Sequence, residues 1–271
     1  MSLSPKTFRF ELERGVGTIV LDRPERLNSL TFDSYIELGD FFPKLEASSE
    51  VRSLVITGTG KGFCSGGDRH DIIAKLFERD LQGLLEFTRI TGRLIQAIRQ
   101  VRRPVIAAVN GVAVGAGAVM ALACDVRIVS EDARFGFVFP KVGLCGADMG
   151  AAYLLPRVVG LGRASELLFM GDLIDATEAY RIGLANRVVP KDEVLTTARA
   201  WAQKLADGPA FAHTMTKQMI EAEHTMSLAE AIEAEAQAQA ICMQHPDFRE
   251  AYDAITAKRD PRFRGAPPKL T

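Results

Sequence analysis

Two glycine-rich turns hold the residues whose types and spacing could do chemistry. FCSGGD (63–68) and NGVAVGAGA (110–118) each follow an apolar run and precede a helical pattern. Turns of this kind leave backbone N–H groups unpaired, and glycine or alanine lets a ligand approach the main chain closely. The start of the following helix adds partial positive charge at the same place. Two such N–H groups converging on one oxygen would hold an enolate or a tetrahedral oxyanion; losing one donor from such a pair typically costs about 10²–10³ in rate. Other uses of the glycines compete with this one. Small residues at 115–117 would also serve tight helix packing. A dinucleotide fingerprint needs a further glycine where this chain has Met120, and a phosphate-binding loop needs a Gly-Lys-Ser/Thr ending that TGTGKGFCSG (57–66) lacks.

The elements that must position these turns follow in a regular order. Residues 8–21 alternate about Gly15-Val16-Gly17 and predict a hairpin that stops at Asp22-Arg23-Pro24. Thr31 is placed to cap a helix over 31–48, with Tyr35, Leu38, Phe41, Phe42 and Leu45 at helical spacing. SLVITGTG (53–60) predicts a strand before the first turn, and one long helix follows from about 71 to 101. Residues 102–125 predict a buried strand, a turn at Asn110-Gly111 and a small-residue helix; 126–139 predict a strand and hairpin. Helices dominate from Ala151 onward, at about 150–158, 163–170, 175–182 and 191–205, then over 208–244 and 246–258. The pattern predicts an α/β protein, built either of repeated strand-strand-helix units or of a doubly wound sheet. The tail DPRFRGAPPKLT (260–271) is expected to be mobile.

The 271 residues, 47% hydrophobic and 25% charged, suit a globular chain and exclude a disordered one. A net charge of −1 supplies no global field toward nucleic acid or anionic lipid. Four scattered cysteines without a C-x-x-C pair argue against a disulfide framework or a metal site. The N-terminus lacks the pattern of a signal peptide, and no apolar run reaches the roughly 18 residues of a membrane span. These features lead to the expectation of a cytoplasmic protein with no nucleic-acid, membrane or metal partner.

DRPERLNSL (22–30), TGTGKGFCSGGD (57–68), RRPVIAAVNGVAVGAGAVMALACDVRIVSEDARFGF (102–137), LLPRVVGLGRASELLFMGDLIDATEAYRIGLANRVVP (154–190) and AKRDPRFRG (257–265) together resemble the enoyl-CoA hydratase/isomerase family, the crotonase superfamily. The resemblance runs almost end to end. It implies a spiral of strand-strand-helix (ββα) units over 1–200 that binds acyl-CoA. A helical C-terminal region over 201–271 would serve trimerisation and cover the active site, giving a homotrimer or a hexamer made of two trimers. It also implies an enolate held at a thioester oxygen, with the backbone N–H groups of Gly67 and Ala116 as the two donors. The backbone around Ser65, Gly66, Gly67 and Asp68 resembles the family's adenine-contacting loop, Lys258 matches a lysine that reaches coenzyme A phosphate, and Arg26 is a second candidate for that contact. No cofactor is implied beyond the coenzyme A carried by the substrate.

The chain departs from the hydratase pattern at two positions. The family's hydratases carry glutamates where this chain has Val119 and Phe139, so both become candidate acyl contacts and no carboxylate remains there to activate water. Asp148 matches the proton-moving aspartate of dienoyl-CoA isomerases, and of the aryl-CoA dehalogenase branch, but stands one residue further from Gly143. Aspartate is also a preferred helix N-cap, which is the plain alternative use of Asp148. The expectation is isomerase-type proton transfer through Asp148. Hydration, thioester hydrolysis or carbon–carbon cleavage by another acid, or a catalytically silent acyl-CoA-binding subunit, are the alternatives. Cys64 and Cys145 flank the turns and are expected to be inert.

Overall fold

The computed structural model describes residues 4–263, so the part of the tail beyond Phe263 lies outside the described residues. Ten strands form two sheets: β1 (Arg9–Glu13), β2 (Val16–Leu21), β3 (Ser53–Gly58), β4 (Gly62–Cys64), β5 (Val105–Val109), β6 (Val112–Val114), β7 (Val126–Ser130), β8 (Arg134–Gly136), β9 (Ile174–Asp175) and β10 (Arg187–Val189). The larger sheet has the order β1-β2-β3-β5-β7-β10 and the smaller β4-β6-β8-β9. The helices are α1 (Phe32–Ala47), α2 (Ala74–Leu76), α3 (Leu81–Gln100), α4 (Ala116–Ala123), α5 (Ala151–Val159), α6 (Leu161–Met170), α7 (Ala176–Arg181), α8 (Val194–Asp207), α9 (Ala210–Ala222), α10 (Leu228–Gln244) and α11 (Pro246–Thr256).

Three times over, the chain runs along a strand of the large sheet, turns a corner, adds a strand to the small sheet and leaves through helical structure. This is the repeated strand-strand-helix arrangement rather than a doubly wound sheet. The corners are tight because glycine allows it: a Cβ on Gly111 would stand 2.1 Å from the Lys61 carbonyl oxygen. Parallel strands buried on both faces read as unbroken apolar runs. In β5, Val105, Ala107 and Val109 join the main core, whereas Ile106 and Ala108 join a second core on the opposite face, under Val194, Ala198 and Ala202 of α8. Among the described residues no helix is long and apolar enough to cross a membrane, and no group of three metal-binding side chains occurs.

Three sequence expectations change here. The long helix over 71–101 is broken: a π-helical turn (Arg69–Ile73) runs into α2, and α3 starts afresh where the Asp80 carboxylate accepts from the Gly83 N–H at 2.8 Å. The helix over 208–244 is broken at Ser227, whose reciprocal bonds with Glu230 form a capping box. β7 and β8 do not form a hairpin; they lie in different sheets, with β8 between β6 and β9. α8 runs across residue 200, and its alanine face covers the sheet.

Candidate active site

Both glycine turns leave the same end of the small sheet. β4 and β6 pair in parallel, Gly62 beside Val112 and Cys64 beside Ala113, so their carboxyl ends enter the two turns side by side. A Cβ on Gly66 would stand 3.0 Å from the Val114 carbonyl oxygen and 3.5 Å from the Ala116 nitrogen, which puts the turns in contact. Gly66 (φ +92°) and Gly115 (φ +55°) hold backbone conformations that a side chain would strain.

The first turn is pinned by Leu30. The Leu30 N–H donates to the Gly66 carbonyl at 2.8 Å, and the Leu30 carbonyl accepts from the Asp68 N–H at 2.9 Å. This one-residue parallel bridge leaves the Gly67 N–H without a protein acceptor among the described residues. In the second turn the Gly115 N–H is used by the Gly136 carbonyl at 2.8 Å. Ala116 opens α4, and its N–H is one of the first-turn donors that a helix cannot satisfy internally. It too finds no protein acceptor among the described residues. Two adjacent donors, one carrying the partial positive charge of a helix start, can receive one anionic oxygen.

Asp68 fastens the first turn rather than offering its carboxylate to a ligand. The side chain is buried and accepts from the Ser29 hydroxyl at 2.8 Å, the His70 and Asp71 N–H groups at 2.9 and 3.1 Å, and Arg23 at 3.4 Å. Burial works to raise its pKa, but these donors outweigh burial and lower it to about 2. The folded pKa is depressed, so the stabilisation is present above the ordinary carboxylate range and is lost as pH falls through about 2. What the turn leaves open to a ligand is its backbone. At its rim the Ser65 hydroxyl donates to the Arg26 carbonyl at 3.2 Å, and Arg26 itself is exposed.

The other expected contacts divide. Val119 is wholly buried in the first turns of α4 and Phe139 is 7% exposed, both packed in the main core. Lys258 stands exposed beyond α11, and among the described residues no hydrogen bond or ion pair ties it to the turns. Cys64 is fully buried, which pushes its thiol up to about 12 and leaves it without nucleophilic character at neutral pH. Cys145 is exposed in the loop before Asp148.

Asp148 is half-buried just before α5 and does not cap it. The N-cap position belongs to Gly150, with no side-chain bond. Among the described residues the Asp148 Oδ1 accepts only from the Met149 N–H, at 2.9 Å, and its carbonyl accepts from the Ala151 N–H at 2.8 Å. Two successive residues at positive φ, Met149 (+50°) and Gly150 (+85°), deliver the chain from Asp148 into the helix. A non-glycine residue held there stores about 1–3 kcal/mol of strain. Burial raises the carboxyl's pKa, and the Met149 N–H offsets that only in part.

One residue at this site escapes sequence reading. Tyr35 of α1 occupies a core position by helical spacing and is 2% exposed. Its hydroxyl lies 3.7 Å from where a Cβ on Gly67 would be. Burial first, then the neighbouring Cys64 and Asp148, hold the phenol pKa well above its usual value. The phenol thus lies beside the first turn and feels the Asp148 charge; its signal in the sequence is a polar tip on a mostly apolar helix face.

Comparison with known proteins bears on this geometry. Residues 11–266 match the family model described as enoyl-CoA hydratase/isomerase. The 1,2-epoxyphenylacetyl-CoA isomerase of Escherichia coli (strain K12) is 36% identical over 254 residues, covering 94% of this chain and 97% of that protein. The short-chain-enoyl-CoA hydratase of Clostridium acetobutylicum is 35% identical, with 92% of this chain and 94% of that protein covered. A crystal structure from Streptomyces coelicolor A3(2), provisionally assigned as an enoyl-CoA hydratase, superposes with a TM-score of 0.94 at 48% identity, covering 96% of this chain and 94% of that one. The resemblance carried by the motifs thus extends to the whole described fold. The chain belongs to the enoyl-CoA hydratase/isomerase family.

Proposed function

We propose that the protein is an acyl-CoA double-bond isomerase in which the Gly67 and Ala116 N–H groups hold the thioester oxygen and Asp148 moves the proton. The ionised carboxylate takes a proton from the carbon next to the thioester, and the electron pair moves onto the thioester oxygen as an enolate. The two N–H groups stabilise that charge. The electrons then return through the former double bond, which takes the proton back from Asp148 two carbons further on. One carboxylate suffices for both transfers, and no cofactor beyond the coenzyme A of the substrate is needed.

The observation that carries this reading is Asp148 itself: a carboxyl freed from capping α5, whose one described protein donor is the Met149 N–H, and made more basic by burial. Apolar Val119 and Phe139, buried in the core at the positions where the resemblance places the hydratase glutamates, support isomerisation over hydration. Named relatives include an isomerase and hydratases. Exposed apolar residues on α10 and α11 (Leu228, Tyr252 and Ile255) support self-association of the helical region, as a trimer or hexamer.

The pH profile of kcat/KM tests the assignment. The carboxyl must be ionised to act as base, and burial raises its pKa. The rate on a 3-enoyl-CoA should therefore rise with pH through a midpoint above the ordinary aspartate value of about 4. A profile flat down to that value, or one unchanged in Asp148→Asn, counts against Asp148 as the base.

A further inference from the structure

We propose that Tyr35 reads an oxygen atom on the acyl chain, so that the preferred substrates are thioesters of oxygenated acids rather than of plain hydrocarbon acids. The inference rests on the acyl-CoA reading above and concerns what the site selects, not how the proton moves.

The surroundings of Tyr35 call for phenylalanine. Its ring meets Phe87 edge-on, with centroids 6.0 Å apart and planes at 89°, and Ile72 shares its contact with Gly67. A hydroxyl buried among such neighbours is costly unless something bonds to it. Nothing in the protein does so among the described residues. The nearby Thr31 and Ser34 hydroxyls bond each other at 3.0 Å, and the Tyr35 oxygen is not among the fully enclosed polar atoms. An unpartnered donor with an open edge, set inside an apolar site, finds its partner in what binds there.

Its position says which part of the ligand that is. The hydroxyl sits 3.7 Å from the Cβ position of Gly67, the residue whose N–H receives the thioester oxygen, and it feels the charge of Asp148. The phenol stands beside the first turn, and we place it against the stretch of acyl chain that begins at the thioester carbon. Because burial and its neighbours keep it protonated, it acts there as a donor. The matching acceptor is a hydroxy, oxo or ether oxygen within a few bonds of the thioester. A site built to bond such an oxygen rejects the analogue that lacks it more strongly than an apolar pocket rejects an added polar atom.

Isosteric thioester pairs provide the test. Methoxyacetyl-CoA carries an ether oxygen where butanoyl-CoA has a methylene, and 3-methoxypropanoyl-CoA does so against pentanoyl-CoA. All four lack the double bond to be moved, so equilibrium binding reads selection independently of Asp148. In at least one pair the wild type should bind the ether about fivefold tighter or more. Tyr35→Phe should reduce that ratio to about one while leaving affinity for the hydrocarbon partner within a factor of about two. No ether preference in either pair overturns the proposal, with or without a folded variant, and so does a preference that survives in Tyr35→Phe. Repeating both pairs in Asp148→Asn separates the two readings: an ether preference kept there, beside unchanged turnover, would sink the Asp148 role and leave Tyr35 standing.

Discussion

Gly117→Ala should cost the protein both its site and much of its stability. Gly117 is the second residue of α4, and a Cβ there would stand 2.0 Å from the Cys64 carbonyl oxygen, 2.7 Å from its carbonyl carbon and 2.8 Å from its Cβ. The obstacles nearest it are backbone atoms of β4, so no flexible side chain can step aside. The helix must move away from the strand, and with it Ala116 from the first turn. Overpacking of this kind costs about 1–3 kcal/mol and occasionally more, and separating two oxyanion donors removes about 10²-fold in rate or more. Urea denaturation and steady-state turnover measure the two effects. Gly67→Ala is the control: its φ is ordinary and its Cβ would meet Ile72 at 3.5 Å and the Tyr35 hydroxyl at 3.7 Å, both normal contacts. It should keep stability within about 0.5 kcal/mol. Equal damage from both substitutions would mean that the approach of α4 to β4 is not what builds the site.

Asp148→Asn should lower kcat by about 10²–10⁴ while leaving coenzyme A binding intact. The amide keeps an oxygen for the Met149 N–H and cannot accept a proton. Stability should not fall. Burial raises the folded pKa of Asp148 above its unfolded value, so the folded state binds more protons in the window between the two. Ionised Asp148 therefore destabilises the fold, with the cost growing as pH rises through that window and fully present above it. At neutral pH the neutral amide should melt no lower than wild type. Lost turnover in a protein of undiminished stability would place the carboxyl in the chemistry; unchanged turnover would leave it without a role.

The two turns and the family they resemble were legible because both depend on local residue types: glycines where backbone must come close, and apolar runs where parallel strands are buried on both faces. Asp148 was legible only as a choice between capping and chemistry, since the cap position passes to Gly150 through a left-handed turn that no periodicity encodes. The breaks at Asp80 and Ser227 carry short-range cap signals that lie inside longer helical patterns. The separation of β7 from β8 is a tertiary choice, because a three-residue connection serves a hairpin as readily as a corner between sheets. Asp68 lies in the expected loop, yet only its spatial partners Ser29 and Arg23 reveal that its carboxylate is used within the protein. Tyr35 is the largest omission, since helical spacing marks its ring as core and says nothing of where the hydroxyl ends.

Isomerisation and hydration differ in whether an oxygen atom from water enters the product. The decisive measurement is mass spectrometry of the products formed from 3-hexenoyl-CoA in ¹⁸O-labelled water and, separately, in deuterium oxide. Proton transfer by Asp148 predicts 2-hexenoyl-CoA that carries no ¹⁸O and gains deuterium to the extent that the carboxyl exchanges with solvent. A 3-hydroxyacyl-CoA carrying ¹⁸O as the first product would contradict it.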